Sequence, residues 1–268
     1  MAIWNIIVFS IIQGVTEFLP ISSTAHLQLI GKIMDVQPSP TLEIAVHFGT
    51  IFAVMIYFRE DIKSLTISFW DIIRGKSNED KDLLIKLIIA TIPIVIIGGA
   101  LTVFVGDLSF RNSLKVIGWT TLIFGLLLQL ADKIGLTIRR VEHMSYMSVF
   151  IIGICQAIAI IPGVSRSGIT ITIMRFLGME RSEAARFSML MSIPVILIAG
   201  IKTGADLAVS GDAQLTISAL LAAVLSFIFA LIVIAALMSW VRKSTFFPFV
   251  VYRVALAVVI LLVAYNVI

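Results

Sequence analysis

Two short runs in the sequence hold most of the groups able to do acid–base or phosphate chemistry. In the first, Gln13 and Glu17 stand four apart on one helical face with Gly14 beside them, and Ser22, Ser23, Thr24 and His26 follow Pro20. A carboxylate, hydroxyls and an imidazole so close in sequence offer a nucleophile and a proton acceptor. In the second, Pro162-Gly163 leads into Ser165, Arg166, Ser167, Gly168 and Thr170. Backbone N–H groups at a helix start, hydroxyls and a guanidinium fork are a set that binds phosphate. Taken singly, each group has a structural alternative. Glu17 and His26 can satisfy each other, the Ser-Ser-Thr run can cap a helix, and Arg166 can pair with a carboxylate or snorkel. Taken together, one run supplies an acid and a base and the other a phosphate clamp, and their convergence would make a phosphoryl-transfer site.

The elements that would carry these groups are membrane helices. Of 268 residues 59% are apolar and 13% charged, with a mean hydropathy of +1.08, where a soluble chain carries roughly 25% charged residues. Full-length spans are expected at about 41–58, 83–105, 113–131, 184–204, 215–240 and 246–267, each near the roughly 20 residues that cross a bilayer core. The two chemical runs interrupt shorter apolar stretches, 1–33 and 147–178, at proline, glycine and hydroxyl residues. Irregular backbone at membrane depth is tolerated where it is buried in protein or lines a wet cavity, so each stretch is expected to form a re-entrant helical hairpin.

Basic residues set the orientation. Placing the loop after 41–58 in the cytoplasm puts fourteen of the twenty Lys and Arg inside, in 59–86, 132–146, 175–186 and 241–245. Four (Lys32, Arg111, Lys115, Lys202) fall outside, and Arg166 and Arg253 lie in apolar surroundings. Both termini then face outward. The expected fold class is an all-α polytopic membrane protein with six transmembrane helices plus two re-entrant hairpins in an inverted-topology repeat. It is one integral membrane domain, 1–146 being the first repeat with its cytoplasmic connector and 147–268 the second. In such folds a site lies near the midplane where broken helices meet. Ser23 and Ser165, each three residues after its proline, are the sequence echo of the repeat.

Other groups are expected to be structural. His47 and His143 lie near span ends, Asp35, Glu43, Asp107 and Asp206 read as solvated rims, and Cys155 is alone. Arg253, inside the last span, is expected to pair with an acid or help bind phosphate. The start of the chain lacks the basic region of a signal peptide, and a net charge of +4 concentrated in cytoplasmic loops gives no reason to expect a nucleic-acid partner.

The run Gln13-Gly14-Val15-Thr16-Glu17-Phe18-Leu19-Pro20-Ile21-Ser22-Ser23-Thr24-Ala25-His26 and the run Pro162-Gly163-Val164-Ser165-Arg166-Ser167-Gly168-Ile169-Thr170 resemble the two signature motifs of the undecaprenyl-diphosphate phosphatases, the bacterial bacitracin-resistance proteins. The resemblance extends to the Phe-Pro-Phe…Tyr-Arg element ending at Arg253. Gln13 stands where the family has Glu or Gln, and Ala25 where Gly is frequent. The resemblance implies a hydrolase that removes the terminal phosphate of undecaprenyl diphosphate, returning the carrier lipid to peptidoglycan synthesis and conferring bacitracin resistance. It implies a bacterial cytoplasmic-membrane location with the site towards the outer face, a divalent cation (Mg²⁺ or Ca²⁺), and polyprenyl diphosphate and membrane lipids as partners, with a homodimer also considered. Carried over by position, Glu17, Ser23, His26 and Arg166 are catalytic. Gln13, Ser22, Thr24, Ser165, Ser167, Thr170 and Arg253 bind substrate, and Glu17 with Gln13 holds the metal. The expected chemistry is attack by Ser23 or by a water it orients, with His26 or Glu17 taking the proton. The competing reading is a transporter or flippase of an anionic polyprenyl lipid, since broken helices in inverted repeats are common among transporters.

Overall fold

A computed structural model describes residues 3–36, 39–76, 81–104, 113–210 and 213–267. Asp107 and Arg111, and the side chains of Lys202 and Asp206, lie outside what it describes. Among the described residues the regular structure is helical, with one isolated bridge between Arg139 and Met179 and no strand.

The two interrupted stretches are broken helices. The first consists of α1 (Ile3–Thr16) and α2 (Ser23–Met34), and the second of α7 (Tyr146–Ala157), a 3-10 turn at Ile158–Ile160, and α8 (Arg166–Phe176). Between them run α3 (Pro40–Tyr57), α4 (Arg59–Ile73), α5 (Lys81–Phe104) and α6 (Leu114–Ile134), and after them α9 (Arg181–Ser210), α10 (Ala213–Val241) and α11 (Phe247–Ala264). Helices thus occupy all six expected span positions. Among the described residues, four of them are long and apolar enough to cross a membrane: Lys81–Leu101, Leu114–Ile134, Thr216–Val241 and Phe247–Ala264. The pair α3–α4 adds a fifth if counted as one bent span. The chain is a multi-pass membrane protein, and its exterior agrees: Phe52, Ile96, Trp119, Leu126, Ile232 and Val258 are exposed, as side chains that meet lipid should be.

Local sequence explains where helices start and stop. Ser39 caps α3, its side chain accepting from Leu42 N at 3.2 Å with Pro40 in the first turn, and Ser145 caps α7 by accepting from Ser148 N at 3.2 Å. Pro93 and Pro194 lie inside α5 and α9 without ending them, which membrane helices tolerate when neighbours cover the freed carbonyl. The segment 59–86 was expected as a cytoplasmic loop, yet its first half is helix α4, turned 90° from α3. Glu60 and Asp61 in its first turn favour a helix start, and Gly75 at φ +67° ends it.

The largest core cluster gathers Phe18 from the first break, Phe187 of α9 and Phe246 before α11, among others. On one side of it Asp132 joins four elements. Its Oδ1 accepts from Arg175 Nε of α8 at 2.9 Å and from Arg181 Nε of α9 at 2.7 Å, and its Oδ2 from the backbone N–H of Phe246 at 3.0 Å. This buried hub anchors the far end of the half-helix whose first residue is Arg166.

Candidate active site

Both breaks use the same device. Ser22 and Ser165 are the N-cap residues of α2 and α8, at φ 73° and 69°, and each side chain accepts a bond from the backbone N–H three residues on, Ala25 and Gly168. A non-glycine residue at positive φ is strained and persists only where its surroundings hold it. The matched pair is therefore Ser22 with Ser165, one residue earlier in the first break than the echo of Ser23 with Ser165, and Ser23 corresponds to Arg166.

The two helix starts line one cavity of about 300 Å³. Ser22, Ser23 and Thr24 come from one, Ser165 and Arg166 from the other, and Glu17 and His47 complete the polar wall. Ile94, Ile160, Ile161, Val195 and Ile196 form an apolar wall. The geometry thus brings together Glu17, Ser22, Ser23, Thr24, Ser165 and Arg166 as the spacing led one to expect.

Glu17 is the centre of the polar wall. Its Oε2 accepts from Ser23 Oγ at 2.9 Å and from Gln13 Nε2 at 2.8 Å, and its Oε1 from Arg166 NH2 at 3.3 Å. Arg166 turns its other terminal nitrogen, NH1, to the carbonyl of Ser188 at 3.0 Å. The guanidinium thus spans from the first break to α9. A carboxylate this engaged is held in one orientation, with a hydroxyl proton directed at it.

The remaining expected residues stand behind the wall. Ser167 Oγ donates to the Leu19 carbonyl at 3.0 Å, tying α8 to the first break, and Thr170 is buried against Ser188 Oγ at 2.7 Å. His26 does not face Glu17 or Ser23. Its Nδ1 lies 2.8 Å from the carbonyl of Ser22 and its Nε2 2.7 Å from the hydroxyl of Tyr252, with the rings stacked. A carbonyl only accepts, so Nδ1 carries the proton and Nε2 accepts from the tyrosine.

Arg253 differs most from expectation. It is fully buried and pairs with no acid among the described residues. Nε donates to Thr121 O at 3.2 Å, NH1 to Pro20 O at 3.2 Å, and NH2 to Gly163 O at 3.0 Å and Val164 O at 3.1 Å. All three nitrogens donate to carbonyls of the two breaks and α6, so in the structure this buried residue ties the breaks together and is not part of the cavity wall. The second break is further clamped by Thr120 Oγ1, which donates to Pro162 O at 2.6 Å, and Gly163 sits there at φ +87° where a side chain would strike Thr120.

The residue that spacing missed is His47. Instead of an isolated structural histidine it is a wall residue of the cavity, with Nδ1 2.9 Å from Gln13 Nε2 and 3.8 Å from Glu17 Oε2. An ionisable side chain inside an apolar span is a functional candidate, but only the packing of α3 against α1 shows that this one belongs to the site.

For a metal, no group of three or more His, Cys, Asp or Glu side chains that could hold one occurs among the described residues. The oxygen donors at hand are Glu17, Ser23 and Gln13 Oε1, a buried atom without a hydrogen-bond partner. One carboxylate and one orphaned amide oxygen fit a hard divalent cation held largely by substrate phosphates rather than an all-protein cage.

Comparison with known proteins adds the family. The model of the family described as bacitracin resistance protein BacA matches residues 6–259. The chain belongs to this family. It is similar to undecaprenyl-diphosphatase 1 of Rhodospirillum rubrum, at 42% identity over 99% of this chain and 96% of that protein. The undecaprenyl-diphosphatase of Ruegeria pomeroyi is 42% identical over 99% of this chain and the whole of its own length. That of Alteromonas mediterranea is 41% identical over 97% and 98%. The BacA match covers the first broken helix from residue 6 onward and the whole of the second, so every residue of the cavity wall falls within it.

Proposed function

We propose that the protein is a membrane hydrolase that converts undecaprenyl diphosphate to undecaprenyl phosphate and inorganic phosphate, recycling the carrier lipid for peptidoglycan synthesis and conferring bacitracin resistance. The observation that carries this reading is the Ser23 hydroxyl directed at Glu17 in a cavity bounded by Arg166 and two helix N-termini. Such a set gives a nucleophile, a proton acceptor and charge for a phosphate in one place. The apolar wall, with Ile94, Ile160 and Val195, suits the first isoprene units of a lipid that reaches the site from the bilayer.

In the step we infer, Arg166 and the N–H groups at the start of α8 hold the terminal phosphate in line with Ser23. The Ser23 Oγ–P bond forms as the bridging P–O bond breaks, the Ser23 proton passes to Glu17, and the polyprenyl monophosphate leaves. Glu17 passes that proton to the departing polyprenyl phosphate, then takes a proton from the water that attacks the phosphoserine and returns it to Ser23 Oγ as the Oγ–P bond breaks and inorganic phosphate leaves. Glu17 takes the base role because Ser23 donates to it, whereas both ring nitrogens of His26 are engaged elsewhere. His26 instead fixes the Ser22 carbonyl at the strained turn. Glu17 and Gln13 Oε1 would hold the divalent cation, Mg²⁺ or Ca²⁺, which when bound supplies positive charge that a single Arg166 cannot. Six spans and two re-entrant hairpins, arranged as inverted repeats with the site towards the outer face of the bacterial cytoplasmic membrane and both termini outside, are the topology we infer.

The deciding experiment is phosphate release from undecaprenyl diphosphate by purified protein in detergent, where no second compartment exists and a flippase has nothing to read out. Release is expected; none from folded protein would return the transporter reading. Chelation should abolish the release and added Mg²⁺ or Ca²⁺ restore it, measured as phosphate per minute.

A further inference from the structure

His47 lies on α3, remote in sequence from both motifs, yet it is part of the cavity wall. Its side chain is 33% exposed, while that of its neighbour Glu17 is 7% exposed, so the ring keeps an open edge. Gln13 Nε2 lies 2.8 Å from Glu17 Oε2 and within reach of both ring nitrogens of His47, Nδ1 at 2.9 Å and Nε2 at 3.4 Å. Reversing the amide would set its oxygen against the carboxylate, so the nitrogen must be the atom facing both. Of the two ring nitrogens Nδ1 is the nearer acceptor for that amide, and with Nδ1 accepting, the neutral ring carries its proton on Nε2.

Beside the N–H groups of the two helix starts, a diphosphate leaves room for a further donor in this cavity. Arg166 shares its charge with Glu17, and the hydroxyl of Ser23 is committed to the same carboxylate. We propose that His47 is a further substrate-binding residue of this site, presenting Nε2–H to a non-bridging phosphate oxygen while its Nδ1 holds the Gln13 amide in the orientation that supports Glu17. The proposal rests on the hydrolase reading above. Glu17 thereby sits between two groups aimed at phosphate, Arg166 on its Oε1 side and His47 on its Oε2 side. The backbone beneath the ring is fixed as well, with Thr50 Oγ1 donating to the His47 carbonyl at 2.7 Å.

Three substitutions separate this role from packing. Phe keeps the ring and loses both nitrogens. Asn keeps an acceptor near the position of Nδ1 and lacks the reach of Nε2. Gln carries an amide N–H about where Nε2 lies. A hydrogen bond to a charged phosphate lost from the bound state lowers kcat/KM by about 10- to 100-fold. We expect that loss in His47→Phe and His47→Asn, with His47→Gln recovering to within about fivefold of the parent. The readouts are phosphate release from undecaprenyl diphosphate by the full-length protein in detergent and the inhibition constant of inorganic pyrophosphate, which should weaken in parallel for Phe and Asn but not Gln. Thermal unfolding and gel filtration report folding, and if the Phe variant fails to fold, the contrast between Asn and Gln still decides. Parent-like kcat/KM and pyrophosphate inhibition in His47→Asn, or equal losses in Asn and Gln, would overturn the assignment while the parent's turnover leaves the hydrolase reading standing. A folded parent protein that releases no phosphate would overturn both.

Discussion

Glu17 and Arg166 depend on each other in ways that separate charge from geometry. Glu17→Gln keeps the size of the side chain and most of its acceptor capacity but removes the charge opposite Arg166 and the base for Ser23, so phosphate release should fall by about 100-fold or more. The protein should still purify as a folded species, because Arg166 keeps the Ser188 carbonyl. Loss of expression instead would make Glu17 a structural residue. Arg166→Lys tests geometry. The guanidinium reaches Glu17 and Ser188 with different nitrogens, and an ammonium on a flexible stem cannot span both and hold phosphate in a fixed plane. A Lys variant with parental turnover would remove the clamp. These residues were legible in the sequence because they fall in compact runs whose chemistry is unusual for a bilayer. His47 was not, because a single histidine on another span gains its meaning only from what packs beside it, and no spacing within the chain reports that α3 lies against α1.

The helices hold the site through buried arginines that never touch it. Arg253 uses its three nitrogens on carbonyls of both breaks and of α6, so its substitution should loosen the alignment of nucleophile and clamp rather than the affinity for phosphate. Arg253→Lys can satisfy only some of these carbonyls, and kcat should drop about tenfold with KM nearly constant. A large rise in KM would place Arg253 on the substrate after all. Asp132 is the corresponding hub at the other end of α8. Arg175, fully buried, donates to its carboxylate and to the carbonyls of Leu136, Met179 and Gly135. Asp132→Asn removes the compensating charge, and breaking such a buried pair costs about 3 to 5 kcal/mol. The variant should unfold at lower temperature in detergent, with the residual folded fraction keeping its KM. At this scale proline and glycine marked both breaks correctly, but the register of the match between them was off by one. The backbone pairs the two strained N-cap serines, which a count from proline cannot detect. Helix α4 was hidden for a different reason: its charged first turn reads as a loop until the apolar positions Ile62, Leu65 and Phe69 are seen on one helical face.

In the whole molecule, the packing of the two halves is reciprocal. The first arm of the first broken helix, α1, lies against α10, and the first arm of the second, α7, lies against α5. Each contact is made close by a glycine: a side chain on Gly14 would come within 2.7 Å of the Ser226 carbonyl, and one on Gly153 within 2.6 Å of the Ala90 carbonyl. Swapped contacts of this kind are what two halves of opposite orientation produce when each wraps a hairpin around the other's spans, and they support the inverted repeat that the basic residues led us to infer. That topology has a consequence that can be measured directly. In a Cys155→Ser background, cysteines placed singly at Lys32 and Val267 should react with a membrane-impermeant maleimide on intact spheroplasts. Cysteines at Lys76 and Lys243 should react only after permeabilisation. All four of these positions are exposed, so reactivity reports sidedness rather than burial. The reverse pattern would turn the cavity mouth, and with it the diphosphate, to the cytoplasm. Labelling of Lys32 and Val267 from opposite sides would break the inverted repeat itself, because an even number of spans with two hairpins requires both ends of the chain on one face of the membrane.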